Sequence, residues 1–142
     1  MREVLLTVHG CHKEKEGEWE GIEVTTTGSL YDKNNSLFLL YDEVMGEDEA
    51  DISHNRVKIE QNPLQISITR TGAIANCMTF SEGYVEQSTY GTPFGNMVME
   101  IRTKEVCFGQ NEEGFHIYIV YDLVMDYDYA SSSKIQIDGK FI

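Results

Sequence analysis

From Phe115 to Tyr129 every odd position is apolar or aromatic: Phe115, Ile117, Ile119, Tyr121, Leu123, Met125, Tyr127 and Tyr129. His116, Tyr118, Asp122, Asp126 and Asp128 stand between them. Successive side chains of a strand point to opposite faces, so this run predicts a long strand with one face in a core and the other in water. A helix would scatter the same residues around its axis. The two-residue period returns in Val4, Leu6 and Val8, in Val57 and Ile59, in Leu64, Ile66 and Ile68, and in Met97, Met99 and Ile101. Nowhere do apolar residues recur at helical spacing over several turns.

Between these runs lie turn formers: Asp32-Lys33-Asn34-Asn35, Gln61-Asn62-Pro63, Glu82-Gly83, Thr92-Pro93-Phe94-Gly95 and Gln110 to Gly114. Gly72, Gly91 and Gly95 suit the positive φ angles of tight turns, and Pro93 presets a turn while lacking an amide donor. Gly28 marks a bend or bulge in a strand over Trp19 to Tyr31. Leu37 to Met45 is apolar on both parities, which predicts a strand that is central or covered on both sides, and Gly46 to Asp51 reads as an acidic solvated loop. The sum is an all-β chain of roughly eight to ten short-connected antiparallel strands. Sequential hairpins hide their edges most directly by closing into an up-and-down barrel, and the long run ending at Tyr129 favours this over a two-sheet sandwich.

At 142 residues, 41% hydrophobic, the chain fits one domain over 1–142 with its own core. No segment approaches the ~20 apolar residues of a membrane helix, and MREVLLTVHG is too short and polar for a signal peptide. Three cysteines, Cys11, Cys77 and Cys107, make an odd, widely spaced set that fits reduced thiols in a cytoplasm better than a disulfide framework. The sequon Asn34-Asn35-Ser36 is then silent. A net charge of −13 repels phosphate backbones, and no Lys/Arg cluster offsets it, so nucleic acid is not an expected partner. Val44 and Met45, at a strand end, leave a homodimer open.

Arg70-Thr71-Gly72 followed by Tyr90, Thr92-Pro93-Phe94-Gly95, Met97 and Thr103 forms a fairly specific pair of motifs, joined by Gly28 to Tyr31 and Leu39 to Tyr41 earlier. Together they resemble the YwiB-like family of small bacterial proteins, a domain of unknown function, over nearly the whole chain. The resemblance implies a calycin-like, lipocalin-resembling β-barrel without an established activity, and it carries over no catalytic residue. Gly17-Glu18-Trp19 echoes the Gly-x-Trp signature of lipocalins, whose relatives pack an Arg against a Trp. The acidic stretch from Glu43 to Asp51 departs from the family pattern.

Arg70 shares the parity of Leu64, Ile66 and Ile68 and so points inward. A buried guanidinium is costly unless paired, and Glu86, on the parity of Tyr84 and Tyr90, is a candidate partner. Arg70 either anchors an anionic ligand by bidentate hydrogen bonds or closes the barrel floor over an aromatic such as Trp19. Tyr41, Tyr84, Tyr90, Tyr121, Phe94 and Met97 either line an apolar cavity with polar tips or fill the core. The candidate ligand-binding set is Arg70, Tyr90, Glu86, Tyr121, Tyr41 and Trp19, for a small hydrophobic or amphipathic anion. A filled barrel acting as an acidic interaction module is the alternative, and an unrecognised enzyme comes third. His9, Cys11, His12, His54 and Cys107 match no zinc spacing, and Asp122, Asp126 and Asp128 lack a glycine-turned calcium loop. Gly-x-Ser-x-Gly, Gly-x-Gly-x-x-Gly and P-loop motifs are absent, so no catalytic residue, metal or cofactor is assigned.

Overall fold

A computed structural model describes residues 1–14, 16–44, 51–72, 75–92, 95–125 and 128–142, with the side chains of 88, 90–92 and 128–130 outside the description. Ten strands account for the described fold: β1 (Arg2–Glu14), β2 (Glu20–Lys33), β3 (Ser36–Val44), β4 (Ile52–Glu60), β5 (Gln65–Gly72), β6 (Asn76–Phe80), β7 (Val85–Thr92), β8 (Gly95–Gln110), β9 (Gly114–Met125) and β10 (Asp128–Phe141). All ladders are antiparallel, in the spatial order β6-β5-β4-β3-β2-β1-β10-β9-β8-β7. Every strand but β6 is thus laddered to its successor in the chain, and the pairing of β1 with β10 brings the two halves together. This is the up-and-down barrel that the alternation predicts.

The barrel meets itself at a seam between β6 and β7. There the turn after β6 is pinned by Gly83 N–H donating to Thr103 O (3.2 Å) and Thr103 N–H donating to Tyr84 O (3.0 Å). Glu86 takes part in the closure: its carboxylate accepts the Thr79 backbone N–H at 2.9 Å. A side-chain oxygen here satisfies an edge amide that would otherwise lack a ladder partner.

Alternation sets the core. Val4, Leu6, Leu39, Val57, Ile59, Ile66, Ile68, Phe80, Ile101, Ile117, Ile119 and Ile137 are buried, all on inward parities. The interior is hydrocarbon and well filled over most of its length. In β9 the predicted odd-position face is seated inward from Phe115 to Tyr121, but the run to Tyr129 is not one strand: Val124 is buried on the other parity, β9 ends at Met125 and β10 begins at Asp128. Two bulges, between Thr103 and Glu105 in β8 and between Tyr129 and Ser131 in β10, reset the parity of their strands. Each adds a residue to one strand and increases local twist, which helps a sheet curl closed.

Two expectations need correction. β3 is central, laddered to β2 and β4, but not covered on both sides: Leu39 and Tyr41 are buried, while Leu40 is partly exposed and Val44 is 73% exposed. Its outward Phe38 stacks on Tyr31 with ring centroids 5.2 Å apart, so the double apolar parity reflects a surface aromatic pair. Nor does Gly28 mark a bulge, because the β1–β2 register runs unbroken through it and the β2–β3 ladder starts at it without a shift. A Cβ at Gly28 would lie 2.8 Å from the Leu40 carbonyl oxygen and 2.8 Å from Leu6 Cδ1. The glycine is there for close packing. The expected turn after β2 is a two-residue hairpin with Asn34 (φ 53°) and Asn35 (φ 64°) both left-handed, which fits a type I′ turn.

Candidate functional site

The registers of β3 to β6 stack inward residues in rows. Leu37, Ile59, Ile66 and Phe80 form one row, and Leu39, Val57, Ile68 and Met78 form the next. The row after that changes character: Tyr41, Asn55, Arg70 and Asn76 stand side by side on four neighbouring strands. Glu43 and Ser53, opposite Gly72, come last before the strands end. A polar belt therefore sits on a hydrocarbon floor at one end of the barrel.

Arg70 is at its centre, and its side chain is 23% exposed. Its Nε donates to Asn55 Oδ1 at 2.9 Å, and its Nη2 lies 3.9 Å from Glu43 Oε1, within ion-pair range but beyond a hydrogen bond. Glu86 is not the partner that the sequence suggested; it is spent on the β6–β7 seam. Parity identified the face of each residue correctly but could not say which strands adjoin. Trp19 does not stack under Arg70 either. Its ring is partly exposed and carries Lys134 Nζ 4.2 Å from the centroid.

Burial and the Glu43 carboxylate push the Tyr41 phenol well above its usual value, partly offset by the Arg70 charge. Burial likewise raises Tyr121, while a hydrogen bond with Ser133 and the Arg70 charge act the other way. Both phenols are therefore neutral. Tyr121 reaches across the interior, its ring centroid 4.9 Å from that of Phe80. The side chain of Tyr90 lies outside the described residues, as do Phe94 and Met45.

Two cavities meet at the guanidinium. One, about 440 Å³, is walled by Val8, Ile22, Val24, Tyr41, Ile68 and Ile135, with Glu43 and Arg70 as its charged members. The other, about 290 Å³, lies between Asn76, Met78, Met99, Tyr121 and Ser133, and Gly10, Arg70 and Ile135 are shared by both. Ile22 is 73% exposed although it faces inward, because the β1–β2 hairpin extends its apolar inner face past the packed core.

Four buried polar atoms have no hydrogen-bond partner among the described residues: Ser53 Oγ, Asn55 Nδ2, Asn76 Oδ1 and Thr103 Oγ1. Ser53, Asn55 and Asn76 belong to the belt or the row above it, and Thr103 pairs in register with Tyr121. The bond from Arg70 fixes the Asn55 amide, since its oxygen must face the Nε–H; its nitrogen is the orphan donor. Sequence reading missed Glu43, Asn55 and Asn76. The signal was present: each shares the parity of buried neighbours, Glu43 with Leu39 and Tyr41, Asn55 with Val57 and Ile59, Asn76 with Met78 and Phe80.

Outside the barrel, His116 Nδ1 lies 2.5 Å from Asp138 Oδ1, and His54 Nδ1 lies 2.7 Å from Asp42 Oδ1. Such pairs orient an imidazole, but among the described residues neither ring is hydrogen-bonded to a serine or cysteine that could act as nucleophile. No group of three or more His, Cys, Asp and Glu side chains among them is placed to hold a metal ion. Partial burial raises the Asp138 carboxyl, but hydrogen bonds from His116 and Gln136 outweigh it and hold the group below its usual value. The folded-state value is thus below the unfolded one. Its stabilisation is present above the unfolded carboxylate range and is lost as pH falls through the folded value. Asp138→Asn is expected to flatten the acid side of a urea-midpoint profile measured between about pH 5 and 2, by a small amount because the pair is half exposed. An unchanged profile would show that the pair contributes nothing.

A family model for "Domain of unknown function (DUF1934)" matches residues 6–137. The chain belongs to the DUF1934 family. One family relative, "Uncharacterized beta-barrel protein YwiB" from Bacillus subtilis (strain 168), is 29% identical over 110 residues, covering 78% of this chain and 74% of that protein. The crystal structure of the ywiB protein from Bacillus subtilis superposes with a TM-score of 0.74 at 26% identity, covering 98% of this chain and 94% of that one. The likeness to YwiB extends to the barrel. It assigns no activity to the belt.

Proposed function

We propose that this DUF1934 protein is a non-catalytic binding protein that takes a small amphipathic anion into the mouth of its barrel at Arg70. The observation that carries this reading is an inward arginine facing an apolar cavity with a single hydrogen bond, from Nε to Asn55, among the described residues. A guanidinium in such a setting is costly unless its remaining donors are met, and an anionic head group meets them. Val8, Ile22, Val24, Ile68 and Ile135 offer the apolar body of the ligand a wall to cover. The ligand occupies the mouth and not a hollow core, since the rows beneath are packed hydrocarbon. On the outward parity of β9, His116, Tyr118 and Asp122 are polar beside Val120 and Val124, a mixed face unlike the continuous apolar band of a lipid-facing barrel. In this reading the protein works in the cytoplasm, without nucleic acid or membrane.

The test pairs native mass spectrometry of protein purified from its own host with a titration of 1-anilinonaphthalene-8-sulfonate. Saturable one-to-one binding is expected, weakened at least about tenfold by Arg70→Met, since a charge-assisted contact of ~1.5–3 kcal/mol is lost. The double variant Glu43→Gln/Arg70→Met removes both charges and guards against an unpaired Glu43 unfolding the site. Undiminished affinity in both variants would rule the reading out. The second reading, an interaction module, draws on the charge of −13 and on the exposed apolar Ile22 and Val44 at the rim. A retained basic protein in place of a small molecule would favour it.

A further inference from the structure

Glu43 poses a problem for an anion site, because it places a carboxylate beside the one arginine of the belt. Its position also supplies information about the ligand. Glu43 is the last inward residue of β3 before Val44, with its side chain 23% exposed, so it can swing toward the opening without disturbing the core. It reaches Arg70 only at 3.9 Å, and it lines the same cavity as the Tyr41 phenol, on which its negative charge acts. The side chain is itself a carboxylate on a short hydrocarbon stem, held where a guanidinium and a phenol converge.

We propose that Glu43 is a tethered stand-in for the ligand's head group, and that the ligand is a monocarboxylate with a single apolar tail or ring. This rests on the reading of the barrel mouth as an amphipathic-anion site. On binding, the ligand carboxylate takes the Nη edge of Arg70 at hydrogen-bond distance and Glu43 moves outward to water. Asn55, in the same row as Arg70, holds the guanidinium through Nε and leaves the Nη edge to the ligand. The charge balance argues for one negative charge on the ligand. Among the described residues Arg70 is the one cation lining the larger cavity; already shared with Glu43 in a strongly acidic protein, it compensates a planar monoanion there and leaves a phosphate dianion in excess, while Lys134 and His12 line the smaller cavity beyond it. The tail then lies along Val8, Val24, Ile68 and Ile135.

Glu43 therefore weakens the site it occupies. Displacing it costs the ligand the Arg70–Glu43 interaction, so Glu43→Gln is expected to tighten decanoate binding by about fivefold, the upper range for a partly exposed ion pair. Calorimetric titrations of wild type and Glu43→Gln with decanoate, decyl phosphate and decanol test this. The expected pattern is decanoate bound more tightly than decyl phosphate or decanol, with the gain from Glu43→Gln confined to the charged probes. Equal affinity of Glu43→Gln and wild type for decanoate, or a gain that extends equally to decanol, would overturn the stand-in role while leaving the amphipathic site in place. Tighter binding of decyl phosphate than of decanoate would overturn the monocarboxylate assignment. If no probe binds to either protein, the reading of the mouth as a ligand site fails with it.

Discussion

Phe80→Ala is expected to remove about 3–5 kcal/mol of stability, the range for truncating a fully buried phenylalanine. Phe80 is 0% exposed and closes the short strand β6 against Ile66 and the ring of Tyr121. Its loss opens a cavity beneath the seam, where the sheet is held by turn and side-chain hydrogen bonds in place of a ladder, so relaxation around the hole would weaken the closure as well. With a urea dependence of about 1–3 kcal/mol/M for a small domain, the unfolding midpoint should fall by about 2 M. Phe80→Leu, which keeps most of the volume, should cost less than about 1.5 kcal/mol. A loss from Phe80→Ala as small as that expected for Phe80→Leu would show that the site can collapse and that the ring is not an anchor.

Gly139→Ala is expected to destabilise the protein by about 1–3 kcal/mol for the opposite reason. A Cβ built at Gly139 falls on the ring of Phe115, which is 5% exposed and opposite it in the β9–β10 register. The ring cannot retreat freely, because its other side meets Phe141 with centroids 6.5 Å apart. The double variant Phe115→Ala/Gly139→Ala separates this from a generic glycine effect. Truncating the ring makes room for the new methyl, so the two costs should sum to more than the double variant shows. Strict additivity in denaturant titrations would mean that the methyl and the ring never compete.

Much of this barrel is legible in the sequence because the strand period is two and the inward set is so uniformly hydrocarbon. The alternation from Phe115 onward, the inward parity of Arg70 and the Asn34-Asn35 hairpin follow from local chemistry alone. The site is less legible because its geometry arises between strands. Arg70 meets Asn55 through the β4–β5 register and Glu43 through a further strand, and neither separation is encoded by a local pattern. Glu86 shows the limit clearly: its parity is right for an interior partner, yet its place at the seam gives it to a backbone amide. Gly28 was misread for a related reason, since a glycine that bends a strand and one that admits a neighbour's side chain look alike until the neighbour is known.

The strand order has a kinetic consequence. Eight of the nine ladders join strands that follow one another directly in the chain, and these hairpins can form with little loop closure. The ninth, β1 with β10, joins the first strand to the last and must wait until almost the whole chain has been drawn together. Its long contact distance makes it the entropic bottleneck of folding. The hairpin that projects the apolar lip over Arg70 is built from β1, flanked by β10 on one side and β2 on the other. The wall of the ligand site therefore takes its final shape only with the last long-range pairing, so an unclosed chain has an arginine but no pocket to hold it in.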